Sequence, residues 1–362
     1  LLCYWCFGYG AWLCLALMLA AGIIAHHQKL SALLAVGILL LPATQYPATT
    51  WWSKPDLDRE YVLSLDVEHY FGNIQKMRKH LETDRQILWV TYYRNLYNAT
   101  HPSEINSPVS LSRNLLAWNQ PGTNGLILPV NPSASFLSIL FANELWFTLG
   151  DMTMAEHCAM LSMIFSPRNS GSRMIKRLAE INLVNGDDEA ALKYLRILDK
   201  TLLHKSWAEK RIPGQQTPRV KEWLEKKRRD IPTQDQLRSG NDAVTSLQNL
   251  VASNAGNLRA YEYLLCYHLL SKDLRSFVED YVPGKVSSPI FAEALLIHLA
   301  RQGNIRAEEL IKYQIPVEIA KEFADYTRLY EAKDTSLKEK YGKTYWFYYH
   351  FATTEPGKES KP

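Results

Sequence analysis

Thiols and imidazoles are the first groups to weigh for chemistry, because they attack, ligate and titrate near neutral pH. Cys3-Tyr-Trp-Cys6 has redox-dithiol spacing, but it sits in an uncharged apolar run with no strand-helix pattern after it. Cys14, Cys158 and Cys266 complete an odd set of five without regular spacing, which is no disulfide framework. His26-His27 has no nearby carboxylate to complete a metal site and reads as a polar turn. Asp66 and Glu68 lie two apart, so on a helix they point to different faces, and Glu68-His69 reads as a surface pair. The chain has no phosphate-binding loop, dinucleotide fingerprint, HExxH or GxSxG. These residues assign no catalytic group, metal or cofactor, and they point to a binding protein rather than an enzyme.

Binding chemistry is better represented. Glu144, Phe147 and Thr148 share one helical face, and Arg173, Lys176, Glu180 and Val184 share another. If the two helices lie side by side, these residues line a concave groove that clamps a protein or peptide partner through charge-assisted hydrogen bonds. The bland alternative is a set of solvated helix-face charges. Between His204 and Pro232 lies a basic stretch with Lys226-Lys227-Arg228-Arg229, Trp207 and Trp223. It could lie on anionic headgroups, but Glu209, Glu222, Glu225, Asp230, Pro213 and Pro218 favour a solvated linker and helix. A net charge of +4 over 362 residues is too small for a nucleic-acid binder.

The elements that must position these groups are helices. Beyond Pro55, apolar residues recur at three-and-four spacing, as in Leu178, Ile181 and Val184, then Ala191, Tyr194, Leu195 and Leu198. Between those groups stands Asn185-Gly186-Asp187, in which the Gly ends one helix and the Asp caps the next. Leu149-Gly150-Asp151 repeats the turn 36 residues earlier, and Ala155/Ala191 and Glu144/Glu180 repeat at the same offset. Looser copies are Phe71-Gly72-Asn73, Lys272-Asp273 and Gly303-Asn304. A period of this size, with a small residue after the turn and Pro167 closing the second helix, is tetratricopeptide-like. The fold expected is therefore all-α, a TPR-like α-solenoid over 56–351, best written in hairpins at 134–167 and 170–203. A further helical stretch is expected from Asp56 to Asn98, and a connection from Ser103 to Ser133 around a short helix at Leu111–Trp118. The aromatic run Tyr345–Phe351 is expected to cap the end of the array, ahead of a disordered tail at 352–362.

The first part of the chain differs in kind. Leu1 to Ala25 carries no Asp, Glu, Lys, Arg or His, and Leu30 to Tyr46 is a second uncharged run. The first meets the roughly 20 apolar residues of a membrane helix, and the second is near the short end. Residues 1–52 are expected to hold two transmembrane helices in contact with membrane lipids, with Trp51 and Trp52 at the interface. A basic n-region is missing and the apolar stretch is doubled, which argues against a signal peptide. Lys29 between the runs places that loop in the cytoplasm and the helical domain outside.

The runs RLAEINLVNGDDEAALKYLRILDKTLLHKSW (Arg177–Trp207), LGDMTMAEHCAMLSMIFSPRNSGSRM (Leu149–Met174) and KYGKTYWFYYHF (Lys340–Phe351) carry a resemblance. They resemble an uncharacterised bacterial family, a domain of unknown function with a multi-pass N-terminal membrane region and a helical-repeat C-terminal region. The resemblance implies further spans upstream of Leu1 and a place in the cell envelope, the bacterial inner membrane. It transfers no catalytic residue. Two functions stand as expectations: a membrane-anchored scaffold binding a protein or peptide, or the accessory domain of a glycosyltransferase-like multi-pass enzyme.

Overall fold

Helix endings organise this chain. The computed structural model describes residues 54–83, 85, 87–101, 111–117, 122–131, 134–165, 171–234 and 242–352. At each of the five turns read from the sequence the backbone passes through a positive φ, at Gly72, Gly150, Gly186, Lys272 and Gly303. In each, the following amide donates to the carbonyl five residues back. These bonds are Asn73 to Glu68, Asp151 to Trp146, Asp187 to Asn182, Asp273 to His268 and Asn304 to Leu299, at 2.9–3.0 Å. That bond closes a helix end by satisfying a carbonyl the helix leaves without a partner. The same geometry occurs without glycine at Gln314 and Lys333.

The described residues form helices and no strands. The chain divides into two compact units, Leu1–Ser64 and Leu65–Pro362. Helix α1 (Lys54–Tyr70) crosses that boundary, and every later helix belongs to the second unit. The stretch expected to be helical from Asp56 to Asn98 is divided into α1, α2 (Ile74–Leu81) and α3 (Leu88–Thr100). The short helix expected at Leu111–Trp118 is shorter, α4 (Leu111–Asn114), and Trp118 lies outside the described residues. Then come α5 (Phe136–Leu149) and α6 (Met152–Ile164), succeeded by α7 (Ser172–Asn185) and α8 (Asp188–Asp199). These are the two hairpins legible in the sequence. None of the described helices is long and apolar enough to cross a membrane. The spans expected in 1–52, with Trp51 and Trp52, lie outside the described residues, as do Pro167 and the tail beyond Ala352.

Asp151 and Asp187 cap the second helices of these hairpins, their carboxylates accepting the amides of Met154 at 2.8 Å and Ala190 at 2.9 Å. Ala155 and Ala191 are fully buried, so paired helices approach closely where each hairpin needs a small side chain. Helices α5 to α8 pack in series, each on the next. Leu178 of α7 joins Ala159 of α6 in one apolar cluster, against which Tyr194 of α8 packs.

The basic stretch is not a solvated linker throughout. It forms α9 (Lys205–Glu209) against α8, and α10 (Pro218–Arg228) against α7. The Arg228 guanidinium donates to the last carbonyls of α7, Leu183 at 2.8 Å and Val184 at 3.0 Å, a cation at the negative end of a helix. Beyond it lie α11 (Ala243–Ser253), α12 (Leu258–Leu270), α13 (Leu274–Asp280) and α14 (Pro289–Arg301). Helices α15 (Ala307–Lys312), α16 (Val317–Glu331), α17 (Leu337–Tyr341) and α18 (Tyr345–Phe351) complete the second unit. The aromatic run α18 is a plug. Tyr345 and Trp346 are fully buried, and the Tyr345 and Tyr348 hydroxyls donate to the Leu269 and Leu270 carbonyls at the end of α12.

Gly150 and Gly186 read alike in the sequence but carry different loads. A Cβ on Gly186 (φ +82) meets nothing within 4 Å, whereas on Gly150 (φ +92) it would stand 2.2 Å from the Asp230 carbonyl oxygen. That carbonyl cannot retreat, because Asn257 Nδ2 donates to it at 2.7 Å and to the Leu149 carbonyl at 2.6 Å. Gly186→Ala should cost about 1 kcal/mol, the left-handed penalty alone. Gly150→Ala should cost about 3 kcal/mol, once overpacking is added. Urea denaturation of both variants in the full chain tests this, and equal losses would refute the account.

Candidate ligand cavity

A buried carboxylate organises the most charged region of the molecule. Glu144, on α5, is almost fully enclosed, and both its oxygens are taken. Arg173 of α7 donates to Oε1 at 2.8 Å, and Arg177, one turn further along α7, to Oε2 at 2.6 Å. His69 Nε2 stands 3.6 Å from Oε2. Arg173 also grips Asp66 with both amino groups, at 2.6 and 2.9 Å, and the Tyr93 hydroxyl donates to the same carboxylate at 2.5 Å. Arg177 extends the network to Glu180 at 3.2 Å. Each guanidinium thus meets two carboxylates, the arrangement that makes desolvated charge tolerable.

Aromatic faces complete the setting. The Arg177 guanidinium lies 3.9 Å from the Phe147 ring centroid, and Lys227 of α10 lies 4.7 Å from the same ring. Phe147 stacks on Trp223, with centroids 6.2 Å apart. Lys176 donates to the Tyr70 hydroxyl at 3.1 Å and sits over the Tyr70 and Trp207 rings.

These groups enclose a cavity of about 230 Å³, lined by residues of α1, α5, α7 and α10. The five residues read from the sequence as a groove, Glu144, Phe147, Arg173, Lys176 and Glu180, all line it, and so does Thr148. Val184 contributes instead its carbonyl to Arg228. Sequence reasoning missed His69, Tyr70, Arg177, Trp223 and Lys227 in this wall. Arg177 was within reach, being one helical turn from Arg173 on the same face. No local signal marks Lys227, because a docking 80 residues away in sequence brings it to the Phe147 carbonyl. Asp66, dismissed for its spacing from Glu68, acts through Arg173, 107 residues distant.

A second cavity, of about 620 Å³, shares Trp223 with the first and is walled by Trp207, Lys210, Arg211 and Arg219 among others. The Arg211 guanidinium lies 4.0 Å from the Trp207 ring centroid and donates to the Trp207 carbonyl at 3.2 Å. Among the described residues, no three His, Cys, Asp or Glu side chains gather as metal ligands, and the Cys158 and Cys266 thiols are buried.

Fold and cavity together define an all-helical protein with a charged, aromatic-walled pocket lined by α1, α5, α7 and α10. The chain belongs to the family of unknown function DUF6057, whose model matches residues 1–352. This agrees with the resemblance to an uncharacterised family. No curated protein and no solved structure matches the chain.

Glu144 fixes the polarity of the site, and its own acidity reflects that. Burial would raise its pKa, but Arg177 and Arg173 outweigh burial and hold the carboxyl well below its usual 4.5. The stabilisation is therefore present above pH 4.5 and is lost as pH falls through the lower folded value. Glu144→Gln should cost about 3 kcal/mol at neutral pH by leaving buried guanidinium charge unbalanced. The gap between wild type and variant should close below pH 4.5. Denaturation curves across that range check it; a gap independent of pH would refute the assignment.

Proposed function

We propose that this protein is a membrane-anchored helical-repeat scaffold that holds a segment of a protein or peptide partner in the cavity beside Glu144. The observation that carries this reading is convergence. Side chains from the first helices of two successive hairpins, Glu144 and Phe147 on α5 and Arg173, Lys176 and Glu180 on α7, line one cavity. Repeat proteins with a TPR-like solenoid use such inner faces to hold extended segments. Gly150 and Gly186, Ala155 and Ala191, and Glu144 and Glu180, all 36 residues apart, support the solenoid reading. Two uncharged runs within residues 1–52 support an anchor in the bilayer, in contact with its lipids. Lys29 between them supports a helical domain outside the cytoplasm, in the cell envelope.

A photo-crosslinking amino acid at Thr148, in the full chain in its native membrane, tests the site. The expected result is a discrete light-dependent adduct with a protein, lost on Trp223→Ala while helical content is kept. Absence of an adduct, or one indifferent to Trp223→Ala, overturns the reading. Topology is separately accessible: a reporter active only in the cytoplasm, fused after Trp52, should stay silent, and activity there would reverse the orientation.

A further inference from the structure

We infer that the partner segment held here is an acidic peptide, its carboxylates distributed along the row of cations that runs through both cavities. This rests on the scaffold reading above and names the chemistry of its ligand.

The argument is one of charge accounting. The carboxylates in the first cavity's wall, Glu144 and Glu180, are both engaged by arginines of α7. Among the described residues, no carboxylate lines the second cavity. Lys176, Lys210, Arg211, Arg219 and Lys227 line the two, and among the described residues none of these five has an Asp or Glu oxygen within ion-pair distance. The Nε of Arg211 is buried without a hydrogen-bond partner.

Lys227 is the most constrained of the five. Among the described residues its ammonium meets the Phe147 carbonyl, at 3.5 Å, and the Phe147 ring. Burial, then the Arg259 and Arg177 charges, depress its pKa to about 8. A negative group beside it would reverse that penalty and supply the missing acceptor.

The spread of the cations selects the kind of anion. They line two cavities that share Trp223 in their walls, and Lys176 sits over Tyr70 of the first wall and Trp207 of the second. A single compact anion satisfies one end of this row. A chain bearing carboxylates at intervals satisfies it along its length, while its apolar atoms cover the indole of Trp223.

Competitive labelling of the full chain in zwitterionic detergent tests this. A lysine with a pKa of about 8 reacts readily with an amine reagent near neutral pH, so Lys227 reports on its own cavity by peptide mass spectrometry. Hexaglutamate should slow labelling of Lys227 and Lys176 by about fivefold or more, and high salt should remove the protection. Hexaglutamine should not protect, and exposed Lys193 should label equally throughout. In Arg211→Gln with Arg219→Gln, protection by hexaglutamate should weaken while helical content is unchanged. Unaltered labelling with hexaglutamate overturns the inference, as does equal protection by hexaglutamine, or protection by pyrophosphate alone. An adduct from Thr148 without hexaglutamate protection would remove the acidic ligand and keep the scaffold; loss of both would remove both.

Discussion

The second unit is arranged around one constraint: a carboxylate buried at Glu144 must be neutralised within hydrogen-bond reach. Uncompensated, it would either protonate or open the fold. The solution is a pair of arginines one turn apart on the neighbouring hairpin, so α7 is held against α5 in a fixed register. Arg173 then needs a second anion, found in Asp66 near the end of α1, which Tyr93 of α3 also contacts. One buried charge thereby ties four helices. The same arginines that close the interior leave the cavity's lysines without carboxylates.

Helix termination supplies the second layer of order. A left-handed residue with a capping Asp after it turns the chain through each hairpin, and the cost of that backbone falls to near zero where Gly occupies it. At Gly150 the missing side chain does more, because the Asp230 backbone passes through the space a Cβ would fill. Asn257 clamps that contact from α12's first turn, with Arg259 close by at the Thr148 carbonyl and the Asp230 carboxylate. The turn that ends α5 is therefore also the junction where the end of the basic stretch meets the first hairpin. Trp223 and Lys227 reach the cavity because their helix is held there.

Legibility in the sequence is a matter of range. Turn chemistry is local, and the glycines with their capping residues announce helix ends with no knowledge of the tertiary fold. Face assignment within one helix is nearly as local, which is why Glu144 and Phe147, or Arg173, Lys176 and Glu180, could be placed together. The pairing of α5 with α7 was legible through the repeat offset that relates them. Asp66, Tyr70, Trp223 and Lys227 join the site only through packing of helices far apart in the chain, and no periodicity encodes that. Spacing also misled. Asp66 and Glu68 do diverge on their helix, but Asp66 needed no carboxylate partner, only an arginine from elsewhere. The basic stretch misled in the opposite sense, since composition describes a solvated surface while Arg228 spends its donors on backbone carbonyls and Lys227 turns in over the Phe147 ring.

Glu144 and Glu180 occupy the same position in successive hairpins, yet they differ in their partners. In a strictly repeating array both would meet the same pair of cations in the next hairpin. Glu144 does meet that pair, Arg173 and Arg177. Among the described residues Glu180 pairs with Arg177 alone, which bridges the two glutamates, one amino group to each. After α8 the chain runs through α9 and α10, where Trp207 packs on the same apolar cluster as Ile175 of α7 and, with Arg211 and Trp223, lines the second cavity. Among the described residues, Lys176, Lys210, Arg211, Arg219 and Lys227 line the two cavities with no carboxylate at ion-pair distance.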